Sequence, residues 1–307
     1  MSSAFNVTAN ALACTIADSD ADDAGDAGDA GDAGDVGDAA GDAGADDADD
    51  GDGVHPSVAA LRQFDQPLLL ASQPPGQLPG LVGGAEDTVV ELWESDDDKE
   101  ELIERLAVRI LVENLRTLSG TKWVDDQVIN FYRNLCKQRS DEDDSLPNIW
   151  IGRTNMYNMI KEQGPKKVKR WTKKVKPNVF AKDMILFPMN LNNAHWCCGC
   201  VNMKKKRFEL YDSTGVHEHE FYGNMRAWLT MEAEKGEIEL NLDEWTNYDE
   251  DASIPRQENM HDCGVFAMFF LSCLALGKPF NFSQADMPVL RKRIAFEILT
   301  EKLLPVV

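Results

Sequence analysis

Sustained patterning of apolar and polar positions begins late in this chain, near Val89. Leu102, Ile103, Leu106 and Ile110 recur at helical spacing, and Val128, Phe131, Tyr132, Leu135 and Cys136 follow an i, i+3, i+4, i+7, i+8 rule, so both segments are predicted as amphipathic helices. Met184 to Pro188, His195 to Val201 and Arg207 to Asp212 are short apolar or alternating runs. The last two are joined by a Lys-rich turn, which predicts strands and a hairpin. From Val265 to Leu276 the chain is apolar on every side, as a helix at the centre of a domain must be, and Gly277 and Pro279 close it. A final helix is predicted from Leu290 through Leu303, with Leu290, Ile294, Ile298 and Lys302 at four-residue steps. Helices, then strands, then helices predict an α+β domain.

Upstream the pattern is absent. Between Ala24 and Asp42 a Gly-Asp-Ala unit repeats with period three and carries a negative charge in each triplet. Such a segment cannot bury enough apolar surface to offset chain entropy. Residues 1–85 are therefore expected to be a disordered acidic arm, ending in a Pro- and Gly-rich linker over Val54 to Asp87, and residues 86–307 a single folded domain. Asp18 to Asp52 hold 15 Asp and no other charged residue, so most of the formal net charge of −22 sits in the arm. The arm is read as a solubiliser or as a docking tail for a basic partner.

Composition narrows the function classes. With 31 Lys+Arg against 53 Asp+Glu the whole-chain field repels phosphate backbones, which argues against a general nucleic-acid binder. No run approaches the roughly 18 apolar residues that span a bilayer, and the start lacks the basic region of a signal peptide, so no membrane partner is expected. Seven cysteines, an odd number with three at Cys197, Cys198 and Cys200, do not form a disulfide framework and point to a reducing compartment. Strand alternation would turn those three to opposite faces, so they read as filler rather than as zinc ligands.

Candidate chemistry sits in Asp262-Cys263-Gly264 at the start of the buried helix. Free N–H groups and the positive end of the helix dipole favour thiolate there, and Gly264 would leave space beside the sulfur for a backbone substrate. Amide cleavage also needs an imidazole to protonate the leaving nitrogen and a third group to orient it. His195 opens one predicted strand and Asp212 ends the next, so a hairpin would bring them to one sheet edge. Gln257 offers an amide that, with the Cys263 N–H, could receive an oxyanion. Each residue also has a plain role: Cys263 as apolar filler, Asp262 as a helix cap, His195 as a satisfied strand-end histidine, Asp212 as the start of a turn. Spacing alone leaves both sets open.

The strings His195-Trp196, Tyr211-Asp212-Ser213, Gln257 and Asp262-Cys263-Gly264, in that order, resemble the SUMO-specific cysteine proteases of the Ulp and SENP group. Trp123-Val124-Asp125-Asp126-Gln127-Val128-Ile129-Asn130-Phe131-Tyr132, Arg170-Trp171-Thr172-Lys173-Lys174 and Met287-Pro288 with Arg291-Lys292-Arg293 extend the resemblance over roughly residues 105–307. It implies a papain-like α+β proteinase fold with a central mixed sheet. It also implies Cys263 as nucleophile, His195 as base and then acid, Asp212 as orienting carboxylate and Gln257 as oxyanion donor. Trp123 and Trp196 would close over a diglycine terminus in a slot too narrow for side chains. Asp126 would pair with a basic residue of the modifier, with a helix cap as its alternative. Trp171, within the eight Lys or Arg of Lys161 to Lys176, would belong to the docking face, and that basic segment also suits nuclear import.

The implied activity is cleavage after the Gly-Gly of SUMO, maturing the precursor and releasing SUMO from substrate lysines. No cofactor is expected, the partners are SUMO or its conjugates, the chain is expected to be a monomer, and the nucleus, with the cytoplasm second, is the expected location. The same chemistry on another ubiquitin-like modifier, and a non-catalytic modifier-binding adaptor, are the alternatives. One departure stands out. Met260 occupies a position where the resembled family carries Gly, and a positive φ there would strain it.

Overall fold

A computed structural model describes residues 56–63, 81, 84–94, 101–105, 108–215, 218–249 and 254–305. The Asp-rich arm expected over the first 50 or so residues lies outside them. Two short helices open the described chain, α1 (Pro56–Leu61) and α2 (Gly84–Trp93), followed by a hairpin of β1 (Glu101–Arg105) and β2 (Val108–Leu111). Next come α3 (Val112–Leu115), α4 (Asp126–Glu142), β3 (Ile149–Ile151), α5 (Met156–Gln163), β4 (Met184–Leu191), β5 (His195–Asn202) and β6 (Arg207–Tyr211). The chain ends with α6 (Phe221–Gly236), β7 (Thr246–Asp249), α7 (Cys263–Leu276) and α8 (Met287–Thr300).

The five strands β3 to β7 form one sheet in chain order. The outer pairs β3/β4 and β6/β7 are parallel, and β4/β5 and β5/β6 are antiparallel, which makes the sheet mixed. Strand parity divides the core in two, because successive side chains leave opposite faces. Leu186, Cys198, Cys200 and Tyr211 meet α4, α7 and α8 on one face; Ile185, Phe187, Cys197, Val201 and Phe208 meet α5 and α6 on the other. The three clustered cysteines thus split between the two faces, as alternation requires. Helix α7 is buried along almost its whole length, wedged between α4 and β5, and Gly277 ends it in the left-handed conformation at φ 63°.

Three expectations need correction. The apolar residues taken for a helix over 102–110 form the β1/β2 hairpin, with Ile103 opposite Ile110 and α4 lying against β2. Short apolar runs fit either period, and β-branched Ile103, Val108 and Ile110 side with the strand; Leu106 lies outside the described residues. The segment read as linker, Val54 to Asp87, contains α1, which buries Val58 and Leu61, and the first turn of α2, which buries Ala85 there and Val89, Leu92 and Trp93 beyond it. Both helices pack against α8, with ion pairs from Arg62 to Glu301 and from Lys292 to Glu86. Flanking Pro and Gly hide helices this short from composition. Helix α8 starts three residues earlier than predicted and stops at Thr300, where Glu301 turns left-handed, so Lys302 and Leu303 lie past its end.

Candidate active site

Antiparallel register brings the base and its carboxylate together. Tyr211 pairs with Cys198, so Asp212, one residue further, stands at the end of β5 where His195 begins. The imidazole Nε2 donates to Asp212 Oδ1 at 2.9 Å, which leaves Nδ1 for Cys263, the other hydrogen-bond partner of the ring. Burial opposes protonation of His195, but its bonds to Asp212 and Cys263, together with their charges, overcome that and lift its pKa to about 9. Burial would likewise raise Asp212. His195 and the Thr214 hydroxyl and backbone N–H, both at 2.7 Å from Oδ1, hold it below the usual carboxylate value instead. Cys263, the first residue of α7, is itself buried, with its sulfur at the positive end of that helix.

The turn after β6 ties these residues to the loop before α7. Arg256 Nη1 donates to the Asp212 carbonyl at 2.6 Å, Gln257 N–H donates to the Ser213 carbonyl at 2.9 Å, and Ser213 Oγ donates to Gln257 Oε1 at 2.7 Å. Gln257 Nε2 donates to the Asn259 carbonyl, so its amide is held on both sides while one N–H stays available.

Asp262 does more than sit at the helix start. Its side chain makes no capping bond to α7. Oδ1 accepts from Arg291 Nε at 2.9 Å and Nη2 at 2.7 Å, and Oδ2 accepts from Asn259 and Gln284, each at 2.7 Å. Burial pushes its pKa up, and these donors from Asn259, Gln284 and Arg291 together bring it below the usual value. The same guanidinium donates to the carbonyls of Thr117, Lys122 and His261. One arginine from α8 thereby fixes the residue before Cys263, the loop before it and the segment leading to Trp123. The sequence motif that contains Arg291 does not reveal this role, because no spacing rule links positions 262 and 291.

The two tryptophans take different environments. Trp196 is 5% exposed and donates Nε1 to the Val124 carbonyl at 3.1 Å, whereas Trp123 is 53% exposed and donates Nε1 to the Met260 carbonyl at 2.9 Å. Gly264 serves this packing rather than opening space for a substrate: a Cβ there would lie 2.8 Å from Val124 Cβ and 3.3 Å from Trp196 Cδ1. Met260 has negative φ, so the strain expected of it does not arise; the non-glycine residues with positive φ among those described are Asn192, Asn193, Lys206, Glu237 and Glu301.

Asp126 is exposed at the first position of α4, and the cap is Asp125, whose Oδ1 accepts from Gln127 N–H at 2.8 Å. Trp171 stands apart from the His195 cluster. It is half-buried against the core on the α5 and α6 side, next to Thr172, which donates to Glu232 at 2.6 Å under α6. The neighbouring Lys166, Lys167, Lys169, Arg170, Lys173, Lys174 and Lys176 are all exposed.

Residues 122–305 match the family model described as "Ulp1 protease family, C-terminal catalytic domain". A Caenorhabditis elegans "Sentrin-specific protease" is 36% identical over 222 residues, 72% of this chain and 31% of that protein. "Sentrin-specific protease 2" of Pongo abelii is 36% identical over 199 residues, 64% of this chain and 33% of that protein. The chain spans about a third of the length of these curated relatives. Among solved structures, the C-terminal Ulp1 protease domain in complex with Smt3, the yeast ortholog of SUMO, superposes with a TM-score of 0.64 at 27% identity, covering 73% of this chain and 97% of that one.

Proposed function

This chain belongs to the Ulp1 protease family, and from that premise we propose that it is a SUMO-specific cysteine protease, maturing SUMO precursors and releasing SUMO from substrate lysines by cleavage after the terminal Gly-Gly. The observation that carries this is the His195 ring, bonded to Asp212 on one side and to the first residue of a buried helix, Cys263, on the other. Relatives named Sentrin-specific protease, and a similar fold solved with a SUMO ortholog bound, support the modifier as substrate.

In this mechanism the Cys263 thiolate, stabilised by the His195 imidazolium and the α7 terminus, attacks the carbonyl carbon of the last glycine. The oxyanion is received by the Cys263 N–H and the Gln257 amide. His195 Nδ1 gives its proton to the departing lysine or peptide nitrogen, the C–N bond breaks, and a thioester to Cys263 remains. Water, deprotonated by the now neutral His195, attacks that thioester; the glycine carboxylate leaves and thiolate and imidazolium are restored. Asp212 keeps the ring oriented throughout. Trp123 and Trp196 form the walls that admit only a side-chain-free Gly-Gly, a selection by excluded volume. Asp126, exposed and free of capping duty, takes a basic residue of the modifier. The exposed lysines around Trp171 form a further basic face that suits docking and import to the nucleus.

The test is Cys263→Ala. It should bind SUMO as tightly as wild type in a pull-down yet release no product from a SUMO precursor. Turnover at the wild-type rate would refute the assignment.

A further inference from the structure

Near the start of α4 a polar groove of about 250 Å³ is lined by Asp126, Asn130, Arg133, Arg153, Thr154 and neighbouring amides. Arg133 is half-buried and is pinned by neutral acceptors: its Nε donates to Asn130 Oδ1 at 3.3 Å and its Nη1 to the Ile151 carbonyl at 2.7 Å. Asn130 in turn donates to Thr154 Oγ1 at 2.9 Å, so the floor of the groove is fixed. Arg153 is exposed, and among the described residues its side chain has neither a hydrogen bond nor an ion pair.

The two guanidiniums are close enough to repel. Burial first, and then the Arg153 charge, lower the Arg133 pKa from 12.5 to about 10. Three buried or half-buried arginines of this domain meet a carboxylate, Arg291 with Asp262, Arg293 with Glu297 and Arg207 with Glu209, whereas Arg133 meets neutral acceptors alone and faces a second guanidinium. Asp126 is the one carboxylate lining this groove, and among the described residues no ion pair joins it to either arginine. Two like charges, one half-buried and one exposed, with donors turned into a shared cavity become a favourable arrangement when an anion completes it.

We propose that Arg133 and Arg153 form a carboxylate-recognition site for an acidic side chain on the folded body of the modifier, beside the Asp126 contact. The groove is then bipolar, an acid at its rim and two arginines within, and it selects a modifier surface on which an acidic and a basic residue are neighbours. This rests on the SUMO protease assignment above and deepens it. Arg153 supplies the movable half of the fork, and Arg133, held by Asn130 and Ile151, supplies the fixed half.

The experiment compares full-length wild type, Arg153→Ala and Arg153→Glu on a SUMO precursor and on a short fluorogenic peptide ending in Gly-Gly, which is too small to reach the groove. Arg153→Glu should raise KM for the precursor roughly tenfold and Arg153→Ala roughly threefold, with kcat little changed. The penalty should shrink as salt is raised from about 50 mM to about 500 mM, because an exposed pair is screened. The loss should be confined to the substrate with a folded body. An unchanged precursor KM in Arg153→Glu overturns the site while leaving the protease assignment standing. An equal loss on the peptide overturns it too, since the change then acts through the fold. A wild type that cleaves the peptide but not the precursor removes both proposals.

Discussion

The two halves of the candidate active site are held by different means. His195 and Asp212 are positioned by strand register, a property of the sheet that any adequate strand sequence would supply, and only Thr214 and the ring itself trim the carboxylate. Cys263 is positioned by long-range chemistry outside the sheet, a buried Asp262–Arg291 pair whose guanidinium also holds three backbone carbonyls. The first arrangement tolerates loss of one polar contact because the strands remain. The second concentrates the geometry of three segments in one side chain, so it should fail as a unit.

That contrast predicts its own largest effect. Arg291→Ala leaves a buried Asp262 without its cation and strips donors from Thr117, Lys122 and His261, a change of the kind that costs about 3 to 5 kcal/mol. Urea denaturation should report that loss, and cleavage activity should fall with it. Arg291→Lys, a point charge without the fork, should recover only part of it. A loss below about 1 kcal/mol would mean that the two halves are held equally loosely.

The other half should respond in activity more than in stability. Asp212→Asn keeps the strand pairing but removes the charge that favours imidazolium, so kcat/KM should fall on the order of a hundredfold with a small change in Tm. The pH dependence carries a sign. With its folded pKa raised to about 9 from 6.5, His195 contributes stability that is fully present below about pH 6.5 and is lost as pH rises through about 9. Wild type should therefore lose Tm between those values, and the alkaline limb of its rate profile should lie near 9. In Asp212→Asn that limb should move to lower pH and the Tm slope should flatten. An unmoved limb would show that Asp212 does not set the charge of the ring.

What was legible in the sequence follows the same division. Helices α4 and α7 and strands β4 to β6 announce themselves through period and burial, and with them the meeting of His195 and Asp212. Helix α6 also carries a helical signal, Phe221, Met225, Trp228 and Leu229, that the predicted elements omit. The β1/β2 hairpin was hidden because its few apolar residues satisfy both periods. The Asp262–Arg291 clamp was hidden for a deeper reason: it joins residues 29 apart through a loop and a helix packing angle, neither of which local pattern encodes. Asp125, not Asp126, being the α4 cap was open to either reading, since both are good cap residues at adjacent positions. Only the observed bond to Gln127 N–H decides it and leaves Asp126 exposed.

The smallest effect belongs to Met260, at the tip of the loop the clamp holds. A residue standing where glycine is expected invites the idea of stored strain, released by Met260→Gly as a gain in rate. Its negative φ removes that reservoir, and its side chain, 81% exposed, contributes little buried area for the loop to lose. What the site takes from position 260 is the carbonyl that accepts from Trp123 Nε1, and glycine has the same carbonyl. The substitution should therefore act only by adding backbone freedom to the unfolded chain, about 0.5 to 1 kcal/mol, while kcat on a SUMO precursor stays within about twofold. A larger fall confined to KM would place the methionine side chain, rather than the loop backbone, in the wall that Trp123 shares with the substrate; a rise in kcat would restore the strain that the backbone angle denies.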